Sequence, residues 1–209
     1  MTTHTGHIID TSSTPWREVY RRLTEVVVPR PIALVSTTDA EGRPNLAPFS
    51  FYTVVSSNPP CVAFSPQRSG RTGEKKDTLV NVEATGEFVV GVVTEELAVR
   101  VNAASALLPR GESEFTHAGL TPAPARLVRP SLIAESPVNM ECRLLEIRTY
   151  GDGAGAGALV VGRVLLLHID GELLDEKGVV LADRMRAVGR MSGDLWVRTR
   201  ETFAMPRPE

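Results

Sequence analysis

The sequence predicts a mainly β chain, folded as a Greek-key antiparallel barrel with a few short flanking helices. Three observations carry this. Apolar or β-branched runs of strand length, at 32–35, 61–64, 87–94, 138–150 and 158–169, are separated by turn-forming Gly, Pro, Asn and Asp. Helical patterns do not alternate regularly with these runs, which argues against a doubly wound parallel sheet. No Gly-x-Gly-x-x-Gly follows a strand, and no internal repeat is visible.

Composition bounds the rest. The chain has 209 residues, 42% hydrophobic and 23% charged, which fits one globular domain with a sizeable core. A net charge of −2 gives no global attraction for nucleic acid or an anionic membrane, so neither is expected as a partner. No apolar run approaches a transmembrane span, and the N-terminus lacks the basic, apolar and small-residue series of a signal peptide. A cytoplasmic protein is the expectation. Cys61 and Cys142 are too few for a disulfide framework, no Cys or His pair has metal-ligand spacing, and no metal is expected.

In chain order, residues 1–11 are polar and expected to be loosely ordered. Thr14 is placed to cap a helix, with Pro15 at its first position and Glu18 in its first turn. Trp16, Val19, Tyr20 and Leu23 recur at helical spacing, so this helix should dock on the barrel. Pro29 and Pro31 then force an extended chain. The expected division is an N-terminal arm and helix over 1–28, a barrel domain over 29–200 and a tail over 201–209.

Residues 29–51, PRPIALVSTTDAEGRPNLAPFSF, read as strand, tight turn, strand. Ser36, Thr37 and Thr38 are polar but β-favouring, Gly42 can take positive φ in the turn, and Ala47, Pro48 and Ser50 are small or polar in the returning strand. Hydroxyls and small side chains where a core would prefer Val or Leu fit a flat ligand lying against backbone. They fit an ordinary hairpin with a Thr-rich edge equally well.

The strand continues over 52–57, Asn58-Pro59-Pro60 breaks it, and 61–64 is a short buried strand. The loop 67–76 is basic, Gly-rich and hydroxyl-rich and runs into a helix over 77–84, with Asp77 or Thr78 as its cap. A helix N-terminus preceded by Arg68, Ser69 and Lys76 is a ready anion site, because free N–H groups and the helix dipole both favour phosphate. A merely solvated basic loop is the alternative.

Beyond the strand at 87–94, Leu97, Val101, Ala104 and Leu108 predict a helix over 95–108, and 112–129 is irregular, with His117 within it. The long strands 138–150 and 158–169 flank a Gly-rich tip, 151–157, which reads as a flexible hairpin loop. Residues 187–196, with Arg190, close the pattern.

Pro29-Arg30-Pro31-Ile32, Val35-Ser36-Thr37, Gly42 and residues 45–51 together resemble the signature of the flavin reductase-like family. Asn58-Pro59-Pro60, Lys76-Asp77-Thr78 with Asn81, and Glu135-Ser136-Pro137 with Glu141-Cys142 extend the likeness in the family's order. The resemblance implies an FMN-binding split barrel, a homodimer with flavin near the subunit interface, and NAD(P)H:flavin oxidoreductase activity that can supply a partner monooxygenase. FMN is the implied cofactor, FAD remains open, and NAD(P)H is the implied co-substrate. By resemblance, Ser36, Thr37 and Thr38 would contact the flavin ring or ribityl chain. Ala47, Pro48, Phe49 and Ser50 would line the isoalloxazine, and Arg68, Ser69, Lys76 and Thr78 would bind phosphate. Met191-Ser192-Gly193 stands where Leu-Gly-Gly is more usual, which leaves a role for Arg190 open.

Hydride transfer to flavin needs two rings positioned and water excluded, with no protein nucleophile or acid–base pair, and no catalytic side chain is expected. A flavoredoxin-like electron carrier would keep the fold and FMN but exchange electrons with a protein. A split-barrel oxidase would need polar groups over the flavin, for which Arg110, His117 and Arg190 are the candidates.

Overall fold

The structure, a computed structural model, describes residues 6–109 and 112–208. Helix α1 (Trp16–Val26) precedes a short strand β1 (Arg30–Pro31). The first hairpin is β2 (Ala33–Thr38) and β3 (Pro44–Phe49), the second β4 (Tyr52–Ser57) and β5 (Pro60–Phe64). Helix α2 (Asp77–Thr85) leads into β6 (Glu87–Val92), followed by α3 (Ala98–Ala103), α4 (Glu114–Ala118), and the two-residue strands β7 (Pro122–Ala123) and β8 (Leu132–Ile133). The long hairpin β9 (Val138–Tyr150) and β10 (Gly157–Ile169) precedes a 3-10 turn at Gly171–Leu173, α5 (Ala182–Met185), β11 (Val188–Arg190) and β12 (Trp196–Arg198).

Seven strands form one sheet in the order β3-β2-β6-β9-β10-β5-β4, every pairing antiparallel. Its two edges, β3 and β4, are separated in sequence only by Ser50 and Phe51. So short a connection reaches at most roughly 11 Å. The sheet therefore curls until its edges nearly meet, and the barrel stays open between β3 and β4. That is the split barrel the sequence predicts. β1 pairs with β11, and β11 with β12, as a separate small sheet.

Side-chain alternation along the strands sends apolar residues to two cores. On one face Leu34, Leu46 and Val89 pack with Val101 of α3, Phe115 of α4 and Ile133. On the other, Val35, Phe49, Phe64, Phe88 and Val160 pack with Leu79 and Val82 of α2. Phe64 stacks at 5.1 Å from Phe49 and 5.3 Å from Phe88. Cys61 and Cys142 are free and buried, and burial pushes the Cys142 thiol up to about 12. Tyr52 is likewise pushed up to about 12 by burial.

Several signature residues prove to be joints. Arg30 is buried and donates through Nη1 to the carbonyls of Thr24 and Val27 (2.7 Å each), tying the end of α1 to β1, and through Nη2 to that of Met191. Glu141, with no exposed surface, accepts the amides of Arg126 and Leu127, while Glu135 accepts the Thr121 amide and hydroxyl.

Some expectations require correction. The helix predicted over 95–108 is only the six residues of α3; Leu97, Val101 and Ala104 enter the core as spaced, but Leu108 does not. The irregular 112–129 region contains α4, held by buried Phe115 and Ala118. Helix α1 docks only in part: Trp16 packs over Gly155 and Gly70 and Tyr20 lies beside Phe51, yet Trp16, Tyr20 and Leu23 stay 40%, 47% and 53% exposed, and the helix's buried residue is Thr24. Among the described residues no helix is long and apolar enough to cross a membrane, and no group of three or more His, Cys, Asp or Glu could hold a metal ion.

Candidate functional site

A cleft of about 1020 Å³ opens beside the β3 edge. Its walls come from segments far apart in sequence. Asn45, Ala47 and Pro48 of β3 form one side, and most of 67–78 another. Trp16, Arg17 and Tyr20 of α1, residues 104–108 after α3, Glu114 and Gly155 complete it.

The wall at β3 is built from an edge strand whose outward donors are removed. Pro44 and Pro48 have no N–H, and the Leu46 amide between them donates to Glu114 Oε2 at 3.1 Å. Glu114 is half-buried, and desolvation, with Asp77 nearby, raises its pKa above the usual glutamate value.

The opposite wall carries the start of α2. The helix begins at Asp77 with Lys76 in the capping position, and no side chain caps it, so the expectation of Asp77 or Thr78 as cap is corrected. Thr78 is buried in the first turn, where its hydroxyl accepts Asn45 Nδ2 at 3.0 Å. Lys76, Asp77 and Thr78 all line the cleft, so the uncapped N-terminus faces it. Five cations, Arg17, Arg68, Arg71, Lys75 and Lys76, line it against three carboxylates, Glu74, Asp77 and Glu114. Lys75 is held by Glu83 at 2.7 Å, and Arg68 donates to the Gly73 carbonyl at 2.9 Å. Lys76 has no carboxylate within ion-pair reach among the described residues; its Nζ lies 5.7 Å from the centre of the Phe49 ring. The residue stays exposed to the cleft, while desolvation around its ammonium lowers its pKa below the ordinary lysine value.

Of the residues singled out in the sequence, the structure brings Ala47, Pro48, Arg68, Ser69, Lys76 and Thr78 together on this one cleft. Ser69 also shapes its loop, accepting the Arg71 and Thr72 amides on Oγ at 3.3 and 3.1 Å. Ser36, Thr37, Thr38, Phe49 and Ser50 stand behind the wall. Ser36 is fully buried, and its hydroxyl has no partner among the described residues. Thr37 Oγ1 accepts both Asn45 Nδ2 and Asn81 Nδ2 at 3.1 Å, Thr38 is buried, and Phe49 belongs to the core. Ser50 Oγ accepts Arg30 Nε at 3.4 Å. His117 is exposed on α4 away from the cleft lining, and Arg190 stacks over Trp196 and donates to the Gly193 carbonyl. Arg110 lies outside the described residues.

Sequence reasoning missed Trp16, Arg17, Tyr20, Glu114 and the glycine tip as parts of the site. The tip is not a free loop. The Arg68 amide donates to the Ala156 carbonyl at 2.8 Å, and a side chain at Gly73 would touch the backbone of Gly153 and Ala154. Only the unusual density of glycine in 151–157 signals such close packing.

Chemically, the cleft pairs an open helix N-terminus and surplus positive charge with a flat, small-residue strand edge. Comparison with known proteins finds relatives over nearly the whole chain. YwrF, an uncharacterized protein of Bacillus subtilis, is 38% identical over 195 residues, covering 92% of this chain and 94% of its own. The crystal structure of nitrilotriacetate monooxygenase component B from Bacillus cereus aligns with a TM-score of 0.90 at 32% identity, covering 97% of this chain and all of that one. The 2-nitrobenzoate 2-nitroreductase NbaA of Pseudomonas fluorescens aligns with a TM-score of 0.86 at 28% identity, covering 97% and 96%. The family description "Flavin reductase like domain" matches residues 25–189, most of the chain, and the protein therefore belongs to the flavin reductase-like domain family.

Proposed function

We propose that the chain binds FMN in the cleft beside β3 and uses NAD(P)H to reduce flavin. The observation that carries this reading is the meeting, in one cleft, of the uncapped α2 N-terminus with Arg68, Ser69 and Lys76 and of the Ala47-Pro48 edge. The first set fits a phosphate: backbone donors, helix dipole and an unpaired ammonium act together. The second fits a planar ring, because small side chains and proline let it approach the backbone closely.

When bound, flavin supplies the hydride-accepting chemistry. The protein's part is to hold and to screen. Lys76 and the first turn of α2 anchor the charged end, the Ala47-Pro48 edge limits tilt at the other, and the α1 side of the cleft keeps water off. No side chain here needs to carry a proton for hydride transfer, and Glu114, a carboxylate on the lining beside β3, is occupied by the Leu46 amide.

The likeness to a monooxygenase component supports a partner monooxygenase as the recipient of reduced flavin. A homodimer is part of the same reading. Leu23, Val26 and Val27 leave 53%, 72% and 57% of their surface exposed at the end of α1, an apolar stripe that a second copy would cover.

The test is an anaerobic absorbance titration with FMN, then NADH, then NADPH. Bleaching of the flavin band within seconds is the expected result and also selects the nicotinamide. Bleaching only with a chemical reductant favours the electron carrier, and no flavin binding at all rejects both.

A further inference from the structure

The end of the cleft that carries Arg68 and Ser69 is a junction of three segments, and one side chain sits at its centre. Trp16, at the start of α1, covers Gly155 of the hairpin tip and Gly70 of the basic loop. A Cβ built on Gly155 would stand 2.5 Å from a Trp16 ring carbon, and one on Gly70 would stand at 3.5 Å. Gly155 also has φ +78°, so both the conformation and the space exclude a side chain there. Arg17 stacks over the Trp16 ring, 4.5 Å from its centre, and donates to the Gly70 carbonyl at 2.5 Å. The tip also holds the same loop directly, the Arg68 amide donating to the Ala156 carbonyl.

The geometry points to Trp16 as a positioning residue: a latch that clamps the 68–76 loop between α1 and the 151–157 tip in the form that presents its phosphate-binding groups. This rests on the flavin reading above for the identity of the ligand, but not for the mechanics of the latch. A loop of this composition has little apolar contact of its own, so without an external clamp its ordered form is one of many. Apparent affinity falls in proportion to the ordered fraction. Arg17 and Trp16 supply the clamp from an element outside the barrel, and the glycines make room for it.

Two measurements on the full chain test this. In the ligand-free protein, trypsin cuts after Arg68, Arg71, Lys75 or Lys76, mapped by mass spectrometry, should accelerate about tenfold in Trp16→Ala and return toward the native rate in Trp16→Phe. In binding titrations, Trp16→Ala should weaken FMN about tenfold and riboflavin, which lacks the phosphate, clearly less. Gly155→Ala should reproduce both effects, and the losses in the double variant should be less than additive, because one of them removes the ring the other collides with. Unchanged trypsin rates, or equal losses for FMN and riboflavin, overturn the latch. A native protein that binds neither flavin rejects the flavin reading instead, and the trypsin rates then decide the latch by themselves.

Discussion

Glu141 Oε1 lies 2.7 Å from Nε2 of His168, and Glu141 has no surface exposed to solvent. Burial alone would raise the pKa of this carboxyl. The Arg126 amide, His168 and the Leu127 amide outweigh it and hold the pKa below the usual glutamate value. A depressed folded-state pKa means that its stabilisation is present above the unfolded pKa and is lost as pH falls through the folded one. Glu141→Gln keeps the shape but turns an N–H₂ toward a backbone amide that is itself a donor, whichever way the amide is turned. We expect a loss of about 2–3 kcal/mol in urea unfolding at neutral pH, shrinking as the pH is lowered.

Asn45 joins the wall of the cleft to the barrel, donating to Thr37 and to Thr78. Asn45→Ala strands neither hydroxyl as a donor but removes the link between β3 and the first turn of α2. The expected cost is about 1–2 kcal/mol by denaturant titration, with weaker FMN binding.

Lys76 should show itself in the pH profile. Its lowered pKa means the ammonium loses its proton at a pH below the ordinary lysine range. FMN affinity should therefore decline on an alkaline limb that Lys76→Met lacks, the variant binding FMN roughly tenfold more weakly at neutral pH. A limb of the same shape in the variant would assign it elsewhere.

Glu114 acts in the opposite direction. Its raised pKa reflects desolvation and the neighbouring Asp77, and once ionised it adds negative charge to a cleft read as phosphate-binding. Glu114→Gln keeps an acceptor for the Leu46 amide. It should tighten FMN by about two- to fivefold at pH 7, with the gain vanishing as the pH falls below the native Glu114 pKa. Fluorescence titration across pH measures both.

The exposed stripe at the end of α1 predicts the assembly. Leu23→Lys should shift a sedimentation profile from dimer toward monomer without altering the far-UV spectrum.

The strands were legible because β-branched runs such as 87–94 and 158–169 declare themselves locally. Their neighbours were not. Nothing local says that β1 pairs with β11, or that β3 and β4 end on opposite edges of the sheet. The same division runs through the site. Lys76 and Thr78 could be placed together on one wall because a basic loop meets a helix start within a few residues. Thr37, a flavin contact by family resemblance, has its hydroxyl engaged by Asn81, 44 residues away, a pairing that no local pattern reports. Trp16 could be read as a docking residue from its helical spacing, but that spacing does not say that it meets Gly155 and Gly70. Glu114 carries no periodic or motif signal at all; only its amide partner on β3 reveals it.

A barrel that fails to close carries a hazard, since an open edge can recruit the backbone of another chain. At β3, Pro44 and Pro48 offer no donor and Leu46 has surrendered its own to Glu114. An incoming strand would find acceptors but no donors, half of what a ladder needs. The cleft can thus sit against bare main chain, accessible to a small flat molecule, without that main chain becoming a nucleus for aggregation when the protein is concentrated.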